Sequence, residues 1–449
     1  MAFEITNEFF QNITKYIDSK NDEAIARLFS EIHYADIAEV LDEIPFKQAL
    51  YIIKLLDSET TSAVLMETDE DTREKVLKNL TAKEIAKEVE ELDSDDAADM
   101  IAELPEERQE AVMSKIEDED HVKEIEELLS YDEDSAGGLM AKELVQVNEN
   151  WTVLKCVKEM RIQAEEVTRV HSIYVVDDDG KLKGRLSLKD LLVASTRTPI
   201  SDIYIPKVDF VTVIDPAEDV ANIMRKYDLE AIPVVDDNMV LLGRITIDDI
   251  VDVIKEEADK DYQMAAGLTQ DVEADDSILE LTKARLPWLF LGLIGGVGAF
   301  IIMEGFQGVF EKYAALFFFT PLIAAMAGNV GVQSSAIIVQ GLANDDIKGS
   351  INSRLLKEML LAALNGFILA VFLFLFVWLY QGQINLAVAI SASLVVVIIV
   401  AGLIGTFVPL FLNKRGIDPA IATGPFITTS NDIFGILIYF MIAKVILGI

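Results

Sequence analysis

Five long apolar runs, at about 286–303, 314–343, 359–380, 386–412 and 421–447, constrain this chain more than any other feature. Each approaches or exceeds the roughly 20 residues a helix needs to cross the hydrocarbon core of a bilayer. No water reaches backbone N–H and C=O groups there, so such runs must be helices that satisfy their own hydrogen bonds. With the N-terminus inside, the cytoplasmic flanks carry Lys283, Arg285, Lys348, Arg354, Lys357, Lys414 and Arg415, and the outer flanks only Lys312 and Lys444. That bias predicts five spans in a cell inner or plasma membrane, with the C-terminus outside.

The 449 residues are too many for one ordinary core, and charge separates them into two halves. From Lys283 onward nine Lys/Arg face seven Asp/Glu, a net of +2, so the total of −38 leaves −40 for residues 1–282. Such acidity repels nucleic acid and anionic lipid and concentrates cations. The single cysteine, Cys156, cannot form an internal disulfide, which fits a reducing compartment. The opening MAFEITNEFFQNITKY has neither a basic n-region nor an apolar run of signal-peptide length, so the first 280 or so residues are expected in the cytoplasm.

Residues 1–130 read as short amphipathic helices separated by Asp, Ser, Thr and Pro. ADIAEVLDEIP (Ala35–Pro45) and DDAADMIAELP (Asp95–Pro105) repeat at an offset of 60, which predicts a helical superhelix with acidic faces. No His/Cys cluster or nucleophile motif is visible there. A stronger repeat follows at an offset of 59, between IYVVDDDGKLKGRLSLKDLL (Ile173–Leu192) and IPVVDDNMVLLGRITIDDIV (Ile232–Val251). Each copy reads as strand, Asp/Gly turn, strand, then a helix capped by Ser187 or Thr246. A charged helix then leads to the first apolar run, with Pro287 near its start. The resulting expectation is a multidomain chain: an acidic helical domain over 1–130, a tandem α/β pair over 131–255, a connecting helix over 256–284 and a five-helix transmembrane domain over 285–449.

Among the apolar runs, only the last carries an ionised residue near its centre, Asp432 in TTSNDIFGILIYF (Thr428–Phe440). An aspartate at a helix centre costs about 2.5–3.5 kcal/mol on insertion scales, so a compensating partner is expected. Thr428 lies one turn away on the same face. Thr429, Ser430 and Asn431 add further polar ligands, and Gly424 and Pro425 allow departure from a regular helix. The second run, TPLIAAMAGNVGVQSSAIIVQGLA (Thr320–Ala343), sets Asn329, Gln333, Ser334 and Ser335 beside Gly328 and Gly331, with Pro321 as a possible bend. Amides and hydroxyls among glycines favour a water-lined path over a dry helix contact. Oxygen ligands without Cys or His argue for a hard cation. Two copies facing each other across an axis would offer two carboxylates, matching one divalent ion such as hydrated Mg²⁺.

The order of these parts resembles the MgtE family of magnesium channels and transporters over essentially the whole chain. The resemblance is carried by YDEDSAGGLM (Tyr131–Met140), PLIAAMAGNVGVQSS, GIDPAIATGPFITT (Gly416–Thr429) and Asp432. The α/β pair is similar to a CBS-domain pair, a module that often senses adenine nucleotides such as ATP. The resemblance implies Ser187/Asp190 and Thr246/Asp249 as ribose contacts, although the same residues are ordinary helix caps. It also implies a homodimer with the pore between two membrane halves, and closure by intracellular Mg²⁺. The matching regulatory acids are Asp95, Asp99, Glu218, Asp228, Asp249, Asp252, Glu257, Asp261 and Asp418. Two departures stand out. Val332 and Ala336 replace polar residues usual in the second run, and Lys260 stands where an acid is usual.

The expected function is therefore a divalent-cation channel or transporter for Mg²⁺ uptake, closed when Mg²⁺ bridges the acidic domains. Rival readings are an exchanger in which Asp432 alternates between metal and Na⁺ or protons, and a membrane-anchored Mg²⁺ or nucleotide sensor that transports nothing. Enzymatic activity is not expected, because no nucleophile–base pair, phosphate-binding loop or metal–His motif is present.

Overall fold

The computed structural model describes residues 5–448 except 166, 168, 271, 273, 275, 344–346, 348 and 423, and divides into two compact units, Met1–Ile254 and Lys255–Ile449. Lys348, one of the cations behind the orientation assigned from sequence, lies outside the described residues.

The first unit begins with ten helices among the described residues. They are α1 (Asn7–Asp18), α2 (Asp22–Phe29), α3 (Tyr34–Glu43), α4 (Phe46–Ile53), α5 (Ser58–Glu67), α6 (Glu70–Asn79), α7 (Ala82–Val89), α8 (Ser94–Ala102), α9 (Glu106–Met113) and α10 (Glu119–Leu128). The repeat at an offset of 60 is structural, because its two copies form α3 and α8. Pro45 and Pro105 stand just before α4 and α9, where a residue without an N–H sacrifices no helical hydrogen bond. Apolar residues recur once per turn, so Ile37 and Leu41 on α3, and Ala97 and Ile101 on α8, are buried. Polar faces are left outside. α7 is started by a full capping box, Thr81 Oγ1 accepting from the Glu84 N–H at 3.2 Å and Glu84 Oε2 accepting from the Thr81 N–H at 2.7 Å.

The α/β repeat follows as two three-stranded sheets of identical design. β1 (Val145–Asn148), α11 (Val153–Gln163), β2 (Ile173–Val176), β3 (Leu182–Leu186) and α12 (Leu188–Val193) form the first copy. β4 (Val211–Thr212), α13 (Ala217–Tyr227), β5 (Ala231–Val235), β6 (Leu241–Thr246) and the start of α14 (Ile247–Ala266) form the second. In each, the first strand pairs parallel with the second and the second antiparallel with the third. Both hairpins shift register at equivalent points, Val175/Val176 and Val234/Val235. The copies differ at the turn, where Gly180 at φ +77° corresponds to Met239 at φ +68°, a conformation that costs an L-residue roughly 1–2 kcal/mol. They differ also at the shared arginine, since Arg185 is exposed and Arg244 is buried.

The second unit contains five helices long and apolar enough to cross a membrane. They are α15 (Ile278–Gly305), α17 (Ala315–Ala343), α18 (Ile351–Gln381), α19 (Ile384–Lys414) and α20 (Gly424–Leu447), with the short α16 (Gln307–Lys312) between the first two. The stretch 256–284 is not one helix. α14 ends at Ala266, where Gly267 turns left-handed at φ +88°, and α15 starts at Ile278 with Ser277 and Glu280 in a capping box. α19 is the central element, packed against α17, α18 and α20. Within the bundle its Ser393 Oγ donates to the Ala389 carbonyl at 2.7 Å. Tyr439 on α20 is fully buried and donates to the Leu316 carbonyl at 3.0 Å, which removes the cost of a phenol in an apolar core. α15 and α18 instead expose Leu289, Leu293, Phe300, Leu364, Phe367 and Phe372, the residue types that face lipid.

Candidate functional site

In the second unit, α20 brings Asp432 and Thr428 to one face, as their spacing predicts, and α17 supplies the facing wall. Together they line a cavity of about 390 Å³ bounded by Ala324, Ala325, Gly328, Asn329, Val332, Gln333, Thr428 and Asp432. Thr428 spends its proton on the Gly424 carbonyl at 2.9 Å, leaving the hydroxyl oxygen as an acceptor. The wall opposite the carboxylate is small or amide-bearing, apart from Val332. Val332 thus reaches the cavity and interrupts its polarity, whereas Ala336 is exposed on α17 outside the cavity lining.

Several polar neighbours expected to join Asp432 do not. Asn431 is 1 % exposed and is not among the cavity-lining residues; its amide packs on α17, where it occupies the space a side chain at Gly331 would need. Thr429 packs on Gly295 of α15. Ser334 is turned away on α17, its hydroxyl lying 2.9 Å from the Val330 carbonyl and 2.6 Å from Glu358 Oε1 on α18. Successive positions on a helix are turned by 100°, so packing against the neighbouring helices decides which of these side chains reach the cavity. Gly424 and Pro425 also act differently from the expectation. α20 is helical from Gly424 onward, and these two residues lie against Ala265 and Gly267 at the end of α14. Asp432 is thereby about 12 Å along its helix, in the first half rather than the middle.

The loop before α20 carries a second acidic feature of this unit. Asp261 on α14 is held above the usual carboxylate range, first by desolvation, then by the charge of Asp418 and then by that of Glu257. The departure at 260 has a direct consequence, because Lys260 Nζ pairs with Glu257 Oε1 at 2.9 Å. A cation of the protein's own already sits on that acid.

In the first unit, Asp95 and Asp99 on α8 meet Asp249 at the start of α14. Thr246 donates to Asp249 Oδ2 from its hydroxyl at 2.6 Å and from its N–H at 3.1 Å, which fixes one carboxylate oxygen. Asp249 is raised chiefly by burial. Asp95 is pushed well above the usual range by burial, then by the charges of Asp96 and Asp249. Asp96, absent from the residues expected from sequence, is pushed up to about 7 by burial and then by Asp249. Asp99 is pushed up to about 6 by desolvation and then by Glu133. Crowded carboxylates of this kind are unstable as a set of full charges and are relieved by protons or a metal ion.

The remaining acids are dispersed. Glu218 lies in the first turn of α13 and Asp228 is its left-handed C-cap at φ +52°, about 15 Å away along the helix, so one chain cannot bring both to one ion. Asp252 is exposed on α14. The two Ser/Thr-x-x-Asp elements also differ. Thr246 and Asp249 are tied to each other, whereas Ser187 begins α12 without a side-chain capping bond and stands part-exposed with Asp190. The cap expected of Ser187 is therefore not made.

Comparison with known proteins covers both units. Residues 320–442 match the family described as MgtE, divalent cation transporter; residues 32–134 match the MgtE intracellular N domain; and 136–197 and 200–256 match CBS domains. The magnesium transporter MgtE of Thermus thermophilus is 35% identical over 71% of this chain and 71% of its own, and that of Enterococcus faecalis 36% over 70% of each. The solved cytosolic domain of the Mg²⁺ channel MgtE in complex with ATP is 34% identical, with a TM-score of 0.51 over 54% of this chain and 98% of that one. The soluble part of a magnesium transporter gives 29% identity and a TM-score of 0.50 over 56% of this chain and 98% of that one.

Proposed function

The chain belongs to the MgtE family of magnesium transporters, and from that premise we propose that it is a Mg²⁺ channel whose path runs between two copies of its membrane unit. The observation that carries this reading is the 390 Å³ cavity with Asp432 and Thr428 on one wall and Asn329 and Gln333 on the other. It is roomy, and its donors are oxygens and amides. Mg²⁺ gives up its waters reluctantly, and a cavity of that size suits an ion that keeps several of them. One carboxylate per copy makes a homodimer the natural unit, because two match the charge of one divalent cation. The C-terminus lies outside and the first unit in the cytoplasm.

Gating follows from the acids. Mg²⁺ entering the Asp95/Asp96/Asp99/Asp249 group, and the Asp261/Asp418 pair, removes the repulsion that raises these carboxyls and favours a closed form. Moving a population from 1:99 to 99:1 needs about 5.5 kcal/mol of differential binding, within reach of several weak sites acting together. Glu218, Asp228, Asp252 and Glu257 are the further candidates, on faces that a second copy can complete. A solved relative holds ATP, and in this chain Ser187 and Asp190 are the better placed ribose contact, since Thr246 is committed to Asp249.

Mg²⁺ influx into proteoliposomes tests the reading. Wild type is expected to conduct, and Asp432→Ala and Asp432→Asn to fall to background. Unchanged entry in both variants would refute the path.

A further inference from the structure

The helical layer hides a mixed nitrogen and oxygen ligand set that no run of sequence displays. His121 and Glu124 sit one turn apart on α10, and Glu143 arrives from the segment leading into β1. One ligand atom from each lies within 4.8 Å of the other two. The imidazole is 13 % exposed and its Nε2 lies 3.3 Å from the Val89 carbonyl. A carbonyl only accepts, so that nitrogen carries a hydrogen, and in the neutral tautomer a metal requires Nδ1 presents its lone pair toward the two glutamates. A backbone carbonyl on the far nitrogen is the usual orienting partner of a metal-bound histidine. Nδ1 stands 4.0 Å from Glu124 Oε2. That is too long for a hydrogen bond; bonds of about 2.0–2.2 Å at a tetrahedral angle would bring the two atoms to about 3.4 Å, a shift of roughly half an ångström that the half-exposed Glu124 side chain can supply.

Glu143 is equally fixed. Its Oε1 accepts from the Ser94 N–H at 3.0 Å and its Oε2 from the Ser94 hydroxyl at 2.9 Å, so each oxygen keeps a lone pair for another partner. The nearby ammonium of Lys142 is engaged by Glu127 at 2.6 Å. Three acceptors with no donor among them converge here: an imidazole nitrogen and two carboxylates.

We propose that His121, Glu124 and Glu143 bind a divalent first-row transition metal, with Nδ1 and one oxygen of each carboxylate as ligands. Imidazole with carboxylate selects the Zn²⁺, Co²⁺ and Mn²⁺ class, whereas Mg²⁺ prefers oxygen alone. Glu143 also faces Asp93 and Asp95, so a metal on His121 withdraws negative charge from that second group. The site is independent of whether the membrane unit conducts, and its test needs no transport.

Titration of the full-length protein with Co²⁺ provides that test, because Co²⁺ in a low-coordinate nitrogen and oxygen site absorbs in the visible and Cys156 is buried away from it. Wild type is expected to show the band. His121→Gln should abolish it and weaken Co²⁺ and Zn²⁺ binding at least about tenfold, with Mg²⁺ affinity and the metal-free unfolding midpoint unchanged. Glu124→Gln, at a half-exposed carboxylate, should give a smaller loss of the same kind. Identical Co²⁺ spectra and affinities in wild type and His121→Gln would overturn the site, as would an equal loss of Co²⁺ and Mg²⁺ binding.

Discussion

Removing the charge of Asp96 should make the metal-free protein more stable, the reverse of what deleting a native side chain normally does. Its carboxyl is raised from 3.8 to about 7, three units that correspond to about 4 kcal/mol. The side chain is part-exposed, and solvent screening roughly halves the figure to about 2 kcal/mol. Below about pH 4 both folded and unfolded chains hold the proton, and no penalty exists. Between about 4 and 7 only the unfolded chain ionises, so stability falls as pH rises and the loss is complete above 7. In EDTA at pH 8, Asp96→Asn should gain about 2 kcal/mol, or some 4–8 °C in the unfolding midpoint of a unit this size. At pH 4 it should match wild type. Thermal unfolding of the full chain at both pH values, with and without Mg²⁺, reads all of this. Wild type should regain stability with Mg²⁺ at pH 8. A variant less stable than wild type at pH 8, or an unchanged slope between pH 4 and 8, would refute the reasoning.

Two further outcomes are expected. Ser58→Ala removes the 2.7 Å hydroxyl bond to the largely buried Glu88, which should cost about 1–3 kcal/mol in thermal unfolding; wild-type stability would mean the carboxylate finds water instead. Lys260→Ala releases Glu257 from its 2.9 Å pair, and half-closing Mg²⁺ in flux assays should fall about two- to fivefold, in keeping with a half-exposed ion pair. A higher Mg²⁺ requirement would assign Lys260 a different role.

Features repeated or periodic along the chain were legible without coordinates. The two offsets placed α3 over α8 and one sheet over the other, because each repeat encodes its own strands and turns. Apolar length alone located five spans, and a spacing of four put Thr428 with Asp432. What escaped depends on partners distant in sequence. Nothing in the order TTSND says that α17 takes Asn431 against Gly331 and leaves Asp432 to the cavity. Asp96 does not stand out among its neighbours in sequence, because burial and then the charge of Asp249, some 150 residues on, are the largest causes of its shift. His121 is isolated in sequence and gains Glu143 only through the fold, and Ser187 matches Thr246 in pattern but not in bonding, since only in the second copy does the acid three residues on accept from the hydroxyl and N–H before the helix.

A chain of steric dependence crosses three membrane helices. A side chain at Gly405 on α19 would strike the Gly331 carbonyl on α17, and one at Gly331 would strike the Asn431 amide on α20. These positions cannot drift singly over generations. An alanine at 405 survives only if α17 moves outward, and movement of α17 alters the wall that carries Asn329 and Gln333. Substitution there is therefore filtered by how well the cavity tolerates a new width, so residues outside its lining are held in place by the spacing between α17 and α20.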